Sequence, residues 1–218
     1  MKNPLVIFGH KVLKNDLIYD LYQNLVGGVK YRERFVKSIV SKNRKIFNYI
    51  DIGCGTGEIM KVLNFRHNYL GIDLSEKYLS KAKNRGKTRL NFQVLNYDLT
   101  KQGWSKITTN IFEDNEPINI IALGLLHHMD DESIKTLLNE VHKIIKSKGS
   151  FFSVDPVITQ ESTNIAKWFA RNDRGEFVRT QEELAILFKN IGFTTNIQIK
   201  KNQFRIPLDT IEIEAKPF

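Results

Sequence analysis

The stretch IDIGCGTGEIM, residues 50–60, carries a β-rich run into a glycine-rich turn and on toward an amphipathic helical pattern. Gly53, Gly55 and Gly57 stand at alternate positions, where they let the backbone take unusual angles and let a ligand approach the main chain closely. A strand, a glycine turn and a helix in that order open a β-α-β unit, and the chain on the C-terminal side repeats the theme. From Ile46 the short runs IFNYIDIG, YLGID, LNFQVLN, NIIALG and SFFSVD alternate with amphipathic stretches. This predicts an α/β fold with a largely parallel sheet and helices on both faces. TTNIQIKK and TIEIEAK come close together around Pro207 and predict a hairpin-like pair at the sheet edge. The result is a doubly wound, seven-stranded sheet, mostly parallel with an antiparallel terminal strand.

Ahead of the first strand, helices are expected over Leu13 to Leu25 and Lys30 to Ser41, separated by Gly27 and Gly28. After the fifth strand, TQEELAILFKNIGF opens with a capping box of Thr180 and Glu183 and closes at Gly192. Without repeats or a Pro/Gly-rich linker, residues 1–218 read as one domain. Within it, 1–45 form a helical cap, 46–156 a ligand-binding core, 157–193 a helical lid or acceptor segment, and 194–218 the terminal strand pair.

Charge is unevenly placed. Of the formal net +9, +7 lies in residues 1–50, a bias that attracts nucleic acid, anionic lipid or phosphorylated small molecules. Solvated helix faces account for it equally simply. Apolar runs fall short of a membrane span and the N-terminus lacks the pattern of a signal peptide, so the expected location is the cytoplasm. Cys54 is the only cysteine, which excludes an internal disulfide and a cysteine-based zinc cluster; no metal site is expected.

Two carboxylates extend the glycine turn into a site. Asp73, sixteen residues beyond Gly57, closes the strand YLGID, where an acidic side chain can accept from both hydroxyls of a ribose, while Ser75 is placed to cap the next helix. Asp98 follows LNFQVLN at the end of the next strand. Its carboxylate can accept from an adenine amino group and the Leu99 amide can meet a ring nitrogen, although aspartate there also serves as a turn residue. Open α/β sheets bind ligands at successive strand ends of this kind.

With these residues in place, the chain resembles the class I S-adenosylmethionine-dependent methyltransferases, whose fold is Rossmann-like. DIGCGTGEI, GIDLSEKYL, VLNYDL and IIALGLLHHM match the first four motifs of that superfamily in order, over about Ile46 to Pro156. The resemblance implies S-adenosylmethionine as cofactor. Asp51 and the loop Gly53, Cys54, Gly55, Thr56 and Gly57 would hold its methionine end, Asp73 with neighbouring Leu74 the ribose, Asp98 and Leu99 the adenine, and Leu123 or Gly124 the amino group. A nicotinamide enzyme would show G-x-G-x-x-G, but Glu58 occupies the place of the third glycine, and Asp51 suits a cation better than a pyrophosphate.

On the acceptor side, LLHHMDDE sets His127 and His128 just after the fourth strand, and Asp155 ends the adjacent fifth. A carboxylate that orients an imidazole makes a general base for a hydroxyl. Some small-molecule O-methyltransferases of the superfamily look similar and use the first histidine, which favours His127; the same motif also occurs in members with other acceptors. Trp168, Arg171, Arg174 and Arg179 are candidates for an acceptor lid that binds a carboxylate or phosphate, and Tyr22, with Tyr19, for closing over the site. Cys54 belongs to the glycine loop and is not free to attack cytosine, and ALGLLHHM stands where base-amino methyltransferases carry [DNS]-P-P-[YFW]. A small-molecule or sugar hydroxyl is therefore the first expectation for the acceptor. The alternatives are RNA or protein recruited by the basic N-terminus, and a binding module without catalysis.

Overall fold

The computed structural model describes residues 28–42, 45, 48–109, 111–112, 116–145, 149–164, 177–201, 203 and 209–218. Seven strands form one sheet: β1 (Asn48–Ile52), β2 (Asn68–Asp73), β3 (Phe92–Asn96), β4 (Ile118–Leu123), β5 (Ser150–Pro156), β6 (Phe193–Lys200) and β7 (Thr210–Pro217). Their order is β3-β2-β1-β4-β5-β7-β6. The first five are parallel, and β7 runs antiparallel between β5 and the edge strand β6. The chain order reverses between β1 and β4, so the crevice at the carboxyl ends of these strands is the topological switch point.

Both faces of the sheet are covered, which explains why β1 is buried along its whole length and β4 reads as a nearly continuous apolar run rather than as an alternation. One face carries Ile50, Ile52, Leu70, Ile72, Ile120 and Phe151. Against it pack α4 (Asp131–Ile145), through Ile134, Leu137, Leu138 and Val141, and α5 (Gln181–Ile191), through Leu184, Leu187 and Phe188. Trp104, which opens the short α3 (Trp104–Thr109), is fully buried in the same layer. The other face carries Tyr49, Tyr69, Ile121 and Phe152, covered by Val36 and Ile39 of α1 (Gly28–Lys42) and by Ala82 of α2 (Glu76–Gly86). Each such large side chain removed from water contributes about 1.5–3 kcal/mol.

Local signals hold at several element ends. Ser75 caps α2 by accepting from the Tyr78 amide, Thr180 and Glu183 complete a reciprocal capping box on α5, and Gly192 closes α5 with a φ of 100°. The glycine turn departs from expectation. It leads into a single 3-10 turn, Glu58–Lys61, rather than an amphipathic α-helix. The reason is the turn immediately after it: Asn64 Oδ1 accepts from the Arg66 amide, His67 Nδ1 accepts from the Asn64 amide, and Arg89 donates to the carbonyls of Leu63, Asn64 and His67. Local side-chain bonds to the backbone displace the helical ladder there. Among the described residues no helix is long and apolar enough to cross a membrane.

Candidate active site

The glycine turn holds its shape through three left-handed residues, Gly53, Gly55 and Gly57, at φ of 68°, 52° and 72°. A Cβ on Gly55 would meet no atom within 4 Å, so the space beside it is open to a ligand. A Cβ on Gly53 would fall 2.9 Å from Leu125 Cδ1, which places the turn against the loop that carries the histidines. The Gly53 and Cys54 amides donate to the Ile72 carbonyl and tie the turn to the end of β2. Thr56 Oγ1 accepts from Arg85 Nη1 at 3.1 Å, and Arg85 also pairs with Glu58 at 2.6 Å, so α2 braces the far side. Cys54 is buried, and burial pushes its thiol well above the usual range.

Asp51 is 2 % exposed and accepts from the Tyr69 hydroxyl at 2.8 Å. Burial pushes its carboxyl up to about 7; the Tyr69 hydrogen bond opposes this, the negative charge of Asp73 adds to it, and Arg32 works against it. Asp73 Oδ2 accepts from the Gly55 amide and Oδ1 from the Ser75 amide, each at 2.8 Å. It therefore fastens the glycine turn to the start of α2. Leu74 beside it is 68 % exposed. Asp98 Oδ1 accepts from the amide and hydroxyl of Thr100, hydrogen bonds that hold its carboxyl below the usual range. That is the turn arrangement, and the Leu99 side chain beside it is buried in the core. Leu123 ends β4, and the Gly124 amide donates to the Val154 carbonyl at 2.7 Å, which leaves the carbonyls of this turn at the strand ends.

The structure brings His127 and Asp155 together. Nδ1 of His127 lies 2.8 Å from Asp155 Oδ1, and the His127 amide donates to the same oxygen at 3.2 Å. With Asp155 as a carboxylate the Nδ1–H donates and Nε2 is the basic nitrogen. The pair is buried, at 4 % and 3 % exposure, and Nε2 is shielded from water. His128 is exposed, with its ring centroid 4.0 Å from that of His127.

Residues 50–149 match the family described as a methyltransferase domain. That match covers the core of the chain and agrees with the resemblance to the class I S-adenosylmethionine-dependent methyltransferases. It is 29 % identical over 170 residues to an uncharacterized protein of Methanocaldococcus jannaschii, covering 76 % of this chain and 57 % of the relative, so it spans little more than half that protein's length. Magnesium protoporphyrin IX methyltransferase from Synechocystis PCC 6803, with bound SAH, is similar at a TM-score of 0.63 and 15 % identity, over 86 % of this chain and 84 % of that one. A methyltransferase from Clostridium acetobutylicum gives 0.64 and 15 %, over 93 % and 98 %. The mitomycin 7-O-methyltransferase gives 0.66 and 14 %, over 95 % and 59 %. At these identities the likeness to solved structures is one of fold.

The site suits the family's cofactor on this structure's own terms. A buried carboxylate at Asp51 that resists ionisation is relieved by a cationic amino group or sulfonium, and the open side of Gly55 admits a close approach. Arg179 is a correction to the acceptor reading. The fold buries it to 8 % exposure, where it pairs with Asp131 Oδ1 and donates to the carbonyls of Leu126, Met129 and Phe177, leaving no guanidinium for an acceptor anion. Tyr22, Trp168, Arg171 and Arg174 lie outside the described residues. Three contributors were missed in the sequence: Tyr69 on Asp51, Arg85 on Thr56, and Asn96, whose amide donates to the Leu74 carbonyl at 2.8 Å. Tyr69 alone had a signal, since it shares the face of β2 that parallel pairing sets beside Asp51.

Proposed function

We propose that the chain transfers the methyl group of S-adenosylmethionine to a hydroxyl of a small molecule, with His127 as general base and Asp155 as its orienting partner. The observation that carries this reading is the His127–Asp155 contact, formed at the carboxyl ends of adjacent strands beside the glycine turn. Bound S-adenosylmethionine supplies an electrophilic methyl on a sulfonium; what the protein adds is alignment and a proton acceptor. Asp51 neutralises the cationic end of the cofactor, Asp73 binds the ribose while fastening the turn, and the backbone at Leu123 and Gly124 receives the amino group. In this reading the acceptor hydroxyl gives its proton to Nε2, the nitrogen turned away from Asp155.

The enclosure of His127 also favours a second reading, in which the pair only anchors the turn and transfer rests on alignment of an acceptor that needs no base. Methyl-labelled cofactor incubated with fractionated cell extract identifies the labelled product, and His127→Ala then decides between the two. A turnover lower by about 100- to 10,000-fold with cofactor affinity retained supports the base; unchanged turnover overturns it.

A further inference from the structure

The turn that carries the histidines is gripped from two sides. From the sheet, Asp155 takes both the amide and Nδ1 of His127. From the segment before α5, the Phe177 amide donates to the His127 carbonyl at 3.0 Å, and Arg179 donates to the Leu126 carbonyl at 3.2 Å and the Met129 carbonyl at 2.7 Å. Arg179 sits nearly buried, its charge balanced by Asp131 at the start of α4 at 2.7 Å. Its planar fork is what lets one side chain reach carbonyls on both sides of the 3-10 turn Leu126–His128 together with a carboxylate; a lysine ammonium reaches fewer of them.

We propose that Arg179 is a positioning residue for His127: by fixing the carbonyls on either side of the turn, it holds the imidazole in the single orientation in which Nδ1 faces Asp155 and Nε2 faces away from it. Two of its donors go to this one short turn, and the others tie it to Asp131 and to its own segment at Phe177. Loss of the fork takes the arginine donor from the buried Met129 carbonyl and leaves the Leu126 carbonyl with the Met129 amide alone, which loosens the turn that presents His127 to Asp155. The inference rests on the proposed role of His127 for its catalytic meaning, but its geometry is measurable without an acceptor.

The experiment is nuclear magnetic resonance of the full chain labelled with 15N-histidine, for the wild type, Arg179→Gln, Arg179→Lys and Asp155→Asn, with S-adenosylmethionine as the added probe. The wild type should show His127 as one tautomer with a slowly exchanging Nδ1 proton. Arg179→Gln should mix the tautomers and speed that exchange about tenfold or more, as expected from the loss of hydrogen bonds to a charged group. Asp155→Asn should do the same, and Arg179→Lys should restore part of the protection. Melting temperature is followed in parallel, and Arg179→Lys answers the question should Arg179→Gln fail to fold. A variant that melts lower yet keeps the wild-type tautomer and exchange rate makes Arg179 a purely structural residue and overturns the inference. If Arg179 variants do release the imidazole while His127→Ala leaves methyl transfer intact, the positioning stands and the base assignment fails.

Discussion

Cofactor affinity should depend on pH through one buried group. In the cofactor-free chain the Asp51 carboxyl stands at about 7 against an ordinary 3.8, because burial disfavours its charge more than Tyr69 and Arg32 support it. A cationic ligand set against it favours the ionised form, so binding below pH 7 must expel a proton. Affinity should then fall nearly tenfold per pH unit below 7 and level off above it, for a loss of about 25-fold between pH 7.5 and 5.5. Titration calorimetry in buffers of different ionisation enthalpy reads this directly, as close to one proton released per cofactor below pH 6. The same group has the opposite effect on the empty fold. A raised carboxyl contributes stability that is fully present below about pH 4 and is lost as pH rises through 7, with an upper bound of about 4 kcal/mol for three units. Asp51→Asn keeps an acceptor for Tyr69 and removes the charge. It should melt higher than the wild type at pH 8 without cofactor, the gap closing toward pH 4, while binding cofactor about 10- to 100-fold more weakly at pH 7.5 with no dependence on pH. Wild-type affinity that is flat from pH 5.5 to 7.5, with no proton release, refutes the reasoning.

Asp73→Ala should weaken cofactor binding by about 1.5–3 kcal/mol and also lower the melting temperature of the empty chain, since the Gly55 and Ser75 amides lose their acceptor; calorimetry and a thermal scan separate the two effects. Gly55→Val should abolish binding, because its φ of 52° resists a branched side chain and the open space beside it is then filled; a folded variant that still binds counts against the turn as the ligand cradle. The double variant of His127→Ala and Asp155→Asn should turn over little more slowly than His127→Ala alone, since the pair acts as a unit, and additive losses would contradict that. Arg89→Ala should cost about 1.5–3 kcal/mol in urea unfolding, because it strips the donor from the carbonyls of Leu63, Asn64 and His67.

Much of this molecule is legible in its sequence because a parallel sheet buried on both faces leaves an unmistakable trace. Asp51, Asp73, Asp98 and Asp155 all stand at or just beyond the ends of apolar runs, and position along the chain is enough to bring them to one rim. The contact between His127 and Asp155 follows from the same logic, since β4 and β5 are neighbours. What escaped has a different origin. Arg179 reads as a surface cation until its partners are known, and two of those partners are backbone carbonyls 50 or more residues away, which have no residue identity to recognise. Tyr69 reaches Asp51 only because the register pairs Asp51 with Gly71, whose missing side chain leaves room for the tyrosine ring to lean over. The short turn after Gly57 differs from the helix that periodicity predicts because the local bonds of Asn64 and His67, which leave no periodic trace, compete with the helical ladder.

The insertion of β7 between β5 and β6 has a consequence for how the sheet is assembled during synthesis. β6 leaves the ribosome before β7, yet its one route into the sheet passes through that strand, for it is joined to β5 only by way of β7. Until residues 210–217 emerge, the open edge of β5 and the whole of β6 present unpaired backbone to the surroundings, and their capture is a single late event rather than two successive ones. A stalled or clipped chain lacking β7 would therefore lose two strands at once, and the exposed edge of β5 would be the place where nascent chains of this protein stick to each other or to a chaperone.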